Sequence, residues 1–209
     1  MRITKRMANA LCEKVVSELV GWKAFPAVLQ AGGIELRGSS RFVRALEGWL
    51  KDEAKKNPEL ENLLVPPEYK LQNRKRIDYA FVRKDSVGQS YLEVDTVIEV
   101  KTNYLCQKSE ISKRWKAANN QATEYGQERN VGDTYVLYMV VSPVIPRNEE
   151  PDKPRDAGWG YFRRKHRLTP PQEPFGANAV LGKFPSNEEL KFGNMQVRIW
   201  AYLWKCEAQ

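Results

Sequence analysis

Residues 76–83 read RIDYAFVR and residues 91–101 read YLEVDTVIEVK. Both alternate with a period of two, the spacing of a strand whose successive side chains point to opposite faces. The polar stretch between them contains Gly88-Gln89, a Gly-X pair suited to a type II′ hairpin turn. A turn centred there pairs residues whose numbers total 177, so Asp78 faces Glu99. Ala80, Val82, Val97 and Lys101 then share the face of the two carboxylates. Ile77, Tyr79, Phe81, Ile98 and Val100 form an apolar face on the other side. A wider loop would move the register; the alternation does not depend on it.

Two carboxylates held close together repel unless a cation lies between them. An oxygen-rich site of this kind suits Mg2+ or Mn2+, which keep waters and accept phosphate oxygens. The Val100 carbonyl offers a further ligand from the same edge. Lys101 can polarise an attacking water or neutralise charge developing on a phosphate. The competing structural reading is a cross-strand ion pair on a solvated face, which contributes ~0–1 kcal/mol.

Working outward, residues 5–20 read as an amphipathic helix with Ala8, Leu11, Cys12, Val15, Val16 and Leu19 on one face and Gly21 as its stop. Residues 22–38 are a shorter apolar piece ending in glycines, and no GxxxxGK follows to make a phosphate loop. Ser39 and Ser40 are expected to cap a helix over 40–56 that buries Phe42, Val43, Leu46, Trp49 and Leu50 and ends at Asn57-Pro58. Residues 68–72 are expected to form a first strand. Beyond Lys101, a helix from Ser109 to about Arg129 carries Trp115, Ala118, Ala122 and Tyr125 at helical spacing. Residues 134–142, TYVLYMVVS, are nearly all apolar, the mark of a central strand covered on both faces. A Pro-rich, charged stretch follows to about Pro174, and residues 195–204 alternate again as a final strand. The order predicts one α/β domain with a mixed sheet and a helical crossover. It divides into an N-terminal helical extension (1–38), a core (39–142), and an insertion with the final strand (143–209). The first helix and the last strand, with Trp200, Tyr202 and Trp204, have two possible uses: pairing two copies as a homodimer, or completing one core.

Composition narrows the function. The chain has 209 residues, 42% of them hydrophobic, and a formal charge of +8, so it is globular and basic. No apolar run approaches the ~20 residues of a membrane helix, and MRITKRMANALCEK has no apolar segment of the signal-peptide kind, so a cytoplasmic location is expected. Cys12, Cys106 and Cys206 lie too far apart for a CxxC zinc site. The single His166 excludes HExxH chemistry, and there is no GxSxG turn for a serine nucleophile. Basic clusters at Arg74–Arg76, Lys113–Lys116 and Arg163–Arg167, interleaved with Trp115, Trp159, Tyr161 and Phe162, suit contact with nucleic acid.

Arg76-Ile77-Asp78, with Ile98-Glu99-Val100-Lys101 placed so that twenty residues separate Asp78 from Glu99, resembles the PD-(D/E)XK nuclease superfamily of restriction-type endonucleases, junction resolvases and RecB-type exonucleases. Ile77 stands where the motif name has Pro. The resemblance spans roughly residues 40–142 and implies a restriction-endonuclease-like αβββαβ core. By it, Asp78 and Glu99 are metal ligands, Lys101 is the catalytic lysine, and Mg2+ or Mn2+ is the cofactor. Gln121 and Tyr125 in QATEY resemble the QxxxY element of the RecB-type members, which contacts substrate near the metal. Lys113, Arg114 and Lys116 on the same helix are candidates for backbone phosphates. The superfamily often adds a Glu from the first core helix. Glu47 is the favoured position, with Glu35 and Glu53 as the others. The function implied is metal-dependent hydrolysis of DNA. Two alternatives stay open: a sequence-specific restriction endonuclease reading bases through the 143–194 insertion, and an inactive nucleic-acid-binding module on the same fold.

Overall fold

The computed structural model describes residues 1–31, 34, 38–70, 76–88, 93–104, 108–127, 131–143, 180–185, 190–192 and 195–206. His166 and the clusters around Arg163–Arg167 and Trp159 lie outside these residues, as do Glu35, Cys106 and Gln89.

Helix α1 (Lys5–Val20) starts where the Thr4 side chain accepts the Met7 N–H, and it buries the face expected of it. After the short α2 (Phe25–Ala31) comes α3 (Ser39–Ala54). Its cap is Gly38 and not a serine: Ser39 and Ser40 lie inside the first turn and no side chain caps the helix. A Cβ at residue 38 would meet the Ile34 carbonyl oxygen at 2.6 Å, so that approach requires glycine. Asn57 ends the region as expected by accepting the Glu59 N–H at 3.3 Å.

The strands are β1 (Leu63–Leu64), β2 (Pro67–Lys70), β3 (Arg76–Arg83), β4 (Val94–Tyr104), β5 (Val131–Pro143), β6 (Gly182–Pro185), β7 (Leu190–Phe192) and β8 (Met195–Cys206). They form one mixed sheet in the order β1-β3-β4-β5-β8-β6. β2 continues β1 along the outer edge of β3, and β7 joins β6 on β8, giving six strand positions. β4 and β5 are parallel and the other pairs antiparallel, so the chain must cross over between those two, and α4 (Lys108–Gly126) makes the crossing.

The hairpin keeps the expected register by a different route. Tyr79 pairs with Ile98 and Ala80 with Val97, as a total of 177 requires. The connection, however, is not a two-residue turn: β3 stops at Arg83 and a 3-10 turn follows over Lys84–Ser86. A β-bulge between Phe81 and Val82 shifts the pairing by one residue beyond it, which absorbs the longer loop. Gly88 has φ 91°, a left-handed conformation suited to glycine.

Alternation sorts the sheet into two faces. Tyr79, Phe81, Ile98, Val100, Leu137, Met139, Ile199 and Leu203 meet α1 and α3 in one apolar core. Val136, Tyr138, Val140, Trp200, Tyr202 and Trp204 meet Ala118 and Ala122 of α4 on the other face. β5 is thus covered on both sides, as its apolar run predicts. Ile77 departs from the expected face: it is buried with Ala80, Val82, Val97 and Tyr125 at the entrance of β3, before the pairing with β4 begins. The first helix packs into the first of these cores, and Trp200, Tyr202 and Trp204 of the last strand are buried in the second.

Candidate active site

Among the described residues, the β3–β4 ladder ends at Tyr79–Ile98, while β4 remains paired with β5 as far as Tyr104–Val141. The two strands therefore fork at Asp78 and Glu99. Just past the last paired residues, an Asp78 carboxylate oxygen accepts the Val100 N–H at 2.9 Å. In a strand the N–H and C=O of one residue face the same edge, so the Val100 carbonyl also faces the fork.

Glu99 is fully buried (0% exposed), and its carboxylate lies 2.5 Å from the Lys101 ammonium, whose side chain is 27% exposed. Glu99 belongs to the face covered by α4, so the solvated-face ion pair is not what the structure contains. A buried carboxylate carries a desolvation penalty that only close opposite charge offsets. Asp78, half-buried at the same fork, brings a second carboxylate. Two carboxylates at one fork offer the hard oxygen donors that suit a divalent cation of the Mg2+ or Mn2+ type. Among the described residues no group of three or more His, Cys, Asp or Glu is gathered, so a metal there would draw its remaining ligands from main-chain carbonyls, water or phosphate.

Helix α4 brings the next two residues. Gln121 donates its amide N–H to the Tyr125 hydroxyl at 2.6 Å, one helical turn apart. This leaves the hydroxyl proton of Tyr125 to be donated onward. Burial pushes the Tyr125 pKa up to about 12; the Gln121 bond opposes this, and the charges of Glu99 and Asp78 add to it. Tyr125 is therefore a neutral donor at physiological pH, within the field of both carboxylates.

The two flanks of α4 are held differently. On the β8 side, Asn119 accepts from the Trp204 indole at 3.3 Å and from the Cys206 thiol at 3.5 Å. Burial, against a Trp204 contact that lowers it, drives the Cys206 pKa to about 12, with the Glu99 charge adding to the rise, so Cys206 stays a thiol and offers no thiolate. On the β4 side, Arg114 donates to the Thr102 carbonyl at 3.5 Å. Lys113 and Lys116 are exposed. Asn119 carried no sequence signal, because its partners lie on the distant last strand.

Glu47 does not join the site. It is exposed on α3, which packs against the opposite face of the sheet through Phe42, Leu46 and Trp49. Glu53 is buried but bound to Arg6 by two contacts, at 2.5 and 3.1 Å, so it ties α3 to α1.

No family model, no curated protein and no solved structure matches this chain.

Proposed function

We propose that the chain is a divalent-metal-dependent nuclease that hydrolyses phosphodiester bonds in DNA, a reading that rests on the resemblance of its site to PD-(D/E)XK nucleases. The observation that carries it is the meeting of Asp78, Glu99 and Lys101 at the β3–β4 fork, beneath the helix that bears the Gln121–Tyr125 pair. The order α3, then β1 and β2 sharing one edge position on β3, then β3, β4, α4 and β5 supports it, giving the αβββαβ sequence of positions that the resemblance implies.

Asp78, Glu99 and the Val100 carbonyl would hold Mg2+ or Mn2+, which when bound lowers the pKa of a water and neutralises phosphate oxygens. The chain's own groups do the rest. The Lys101 ammonium, kept in place by Glu99, is positioned to hydrogen-bond an attacking water or a phosphate oxygen as negative charge develops there. Tyr125 supplies a neutral O–H next to the carboxylates without adding charge. Helix α4 keeps bulk water from Glu99, which strengthens each of these interactions.

The test is incubation of the protein with plasmid and linear DNA in Mg2+, in Mn2+ and in EDTA. Cleavage that EDTA abolishes is expected. Retardation of the DNA without cleavage would leave a nucleic-acid-binding module instead.

A further inference from the structure

We propose that Arg114, and neither Lys113 nor Lys116, holds the substrate's backbone phosphate next to Lys101; this rests on the nuclease reading of the site. The basis is the orientation of α4. Successive helical residues turn by about 100°, and Ala118, Ala122 and Tyr125 define the direction that faces the sheet. Asn119 marks the flank toward β8, through Trp204 and Cys206. Arg114 marks the flank toward β4, through the Thr102 carbonyl. Gln121 lies two turns beyond Arg114 on that same flank, with its amide on the Tyr125 hydroxyl. Lys113 is turned a further 100° or so toward solvent, and Lys116 lies about 200° around the helix from Arg114.

Thr102 directly follows Lys101, so the Arg114 guanidinium is anchored to the main chain of the residue next to the one that bears the ammonium. Only one of its five N–H donors is needed for the Thr102 carbonyl, and the residue is exposed. The remaining fork matches the two non-bridging oxygens of a phosphodiester.

The test is binding of a short labelled DNA duplex by the full chain in EDTA over a range of salt concentrations, with a melting curve for each variant. Arg114→Ala should weaken binding about tenfold and lower the log–log salt slope by about one. Arg114→Lys should restore the slope but recover affinity only in part, because the ammonium lacks the bidentate fork. Lys113→Ala should weaken binding by no more than about twofold, and Lys51→Ala, on the opposite face, should leave it unchanged. A slope unchanged in Arg114→Ala, with wild-type binding intact, overturns this inference alone. A lower melting temperature with an unchanged slope would assign Arg114 only the structural bond to Thr102 and also overturns it. Failure of the wild type to bind any DNA removes the nuclease reading and this inference together.

Discussion

The two faces of the sheet are built from the same strands and serve different ends. Toward α1 and α3, alternate residues of β3, β4, β5 and β8 supply Tyr79, Phe81, Ile98, Val100, Leu137, Met139, Ile199 and Leu203, and Trp49, Phe42 and Leu11 close over them. Toward α4, the same alternation yields Asp78, Glu99 and Lys101 on β3 and β4 and an aromatic cluster with Trp204 on β5 and β8. Burial of apolar area on the first face supplies stability; burial of charge on the second reduces it. One period-two pattern therefore separates an apolar face from the face that holds the proposed site, and substitutions of Trp49 on the first and of the charged residues on the second should divide the same way.

The largest effect is expected on the apolar face. Trp49 is buried, packs on Phe81, and donates its indole N–H to the Met7 carbonyl at 3.0 Å. Trp49→Ala should cost about 3–5 kcal/mol in urea unfolding. A cost below about 1 kcal/mol would mean that this core is not the main source of stability.

Alkaline pH acts on both faces. Tyr135 on one side, and Tyr125 and Cys206 on the other, each have a pKa raised by burial to about 12. A raised pKa means that the fold favours the protonated form. Their contribution is complete below the ordinary values near 9 to 10 and is lost as pH climbs toward 12. Melting temperature should hold up to about pH 9 and then fall. Tyr125→Phe should make that fall shallower, and a decline of unchanged steepness would contradict the burial of this phenol.

Two smaller effects concern the α4 face. Gln121→Ala removes one partly buried hydrogen bond and should cost about 0.5–1.5 kcal/mol. Glu99→Gln should change stability by less than about 1 kcal/mol or raise it, since it removes a buried charge while Lys101 can turn to solvent. A large loss of stability in Glu99→Gln would make this pair a structural support and erase the contrast between the faces.

The alternation in RIDYAFVR and YLEVDTVIEVK was enough to put Tyr79 and Phe81 on one face and Ala80 and Val82 on the other, because period two is a property of the strands themselves; the ladder stops at Tyr79–Ile98, so Asp78 and Glu99 flank its open end rather than form a cross-strand pair. The turn was not legible: the bulge at Phe81–Val82 and the turn at Lys84–Ser86 compensate each other, and neither leaves a local pattern. β1, β6 and β7 are two to four residues long, too short for periodicity to register. Glu47 looked suitable only along the chain; which face of the sheet α3 covers is a tertiary fact, and it places this residue on the wrong side. The inward stripe of α4 was legible, whereas the difference between Arg114 and its lysine neighbours needed the contact with Thr102.

Whether Asp78, Glu99 and Lys101 hydrolyse DNA is decided by single-turnover cleavage of a labelled duplex in Mg2+ by the wild type and by Lys101→Met and Asp78→Ala. Because Lys101 acts mainly in the transition state, Lys101→Met should slow cleavage by orders of magnitude while leaving the melting temperature and DNA affinity nearly unchanged. Asp78→Ala should abolish cleavage with affinity equal or tighter, since a negative charge near the phosphate is removed. Full cleavage by Lys101→Met would contradict the account, because the lysine would then be only the partner of a buried carboxylate.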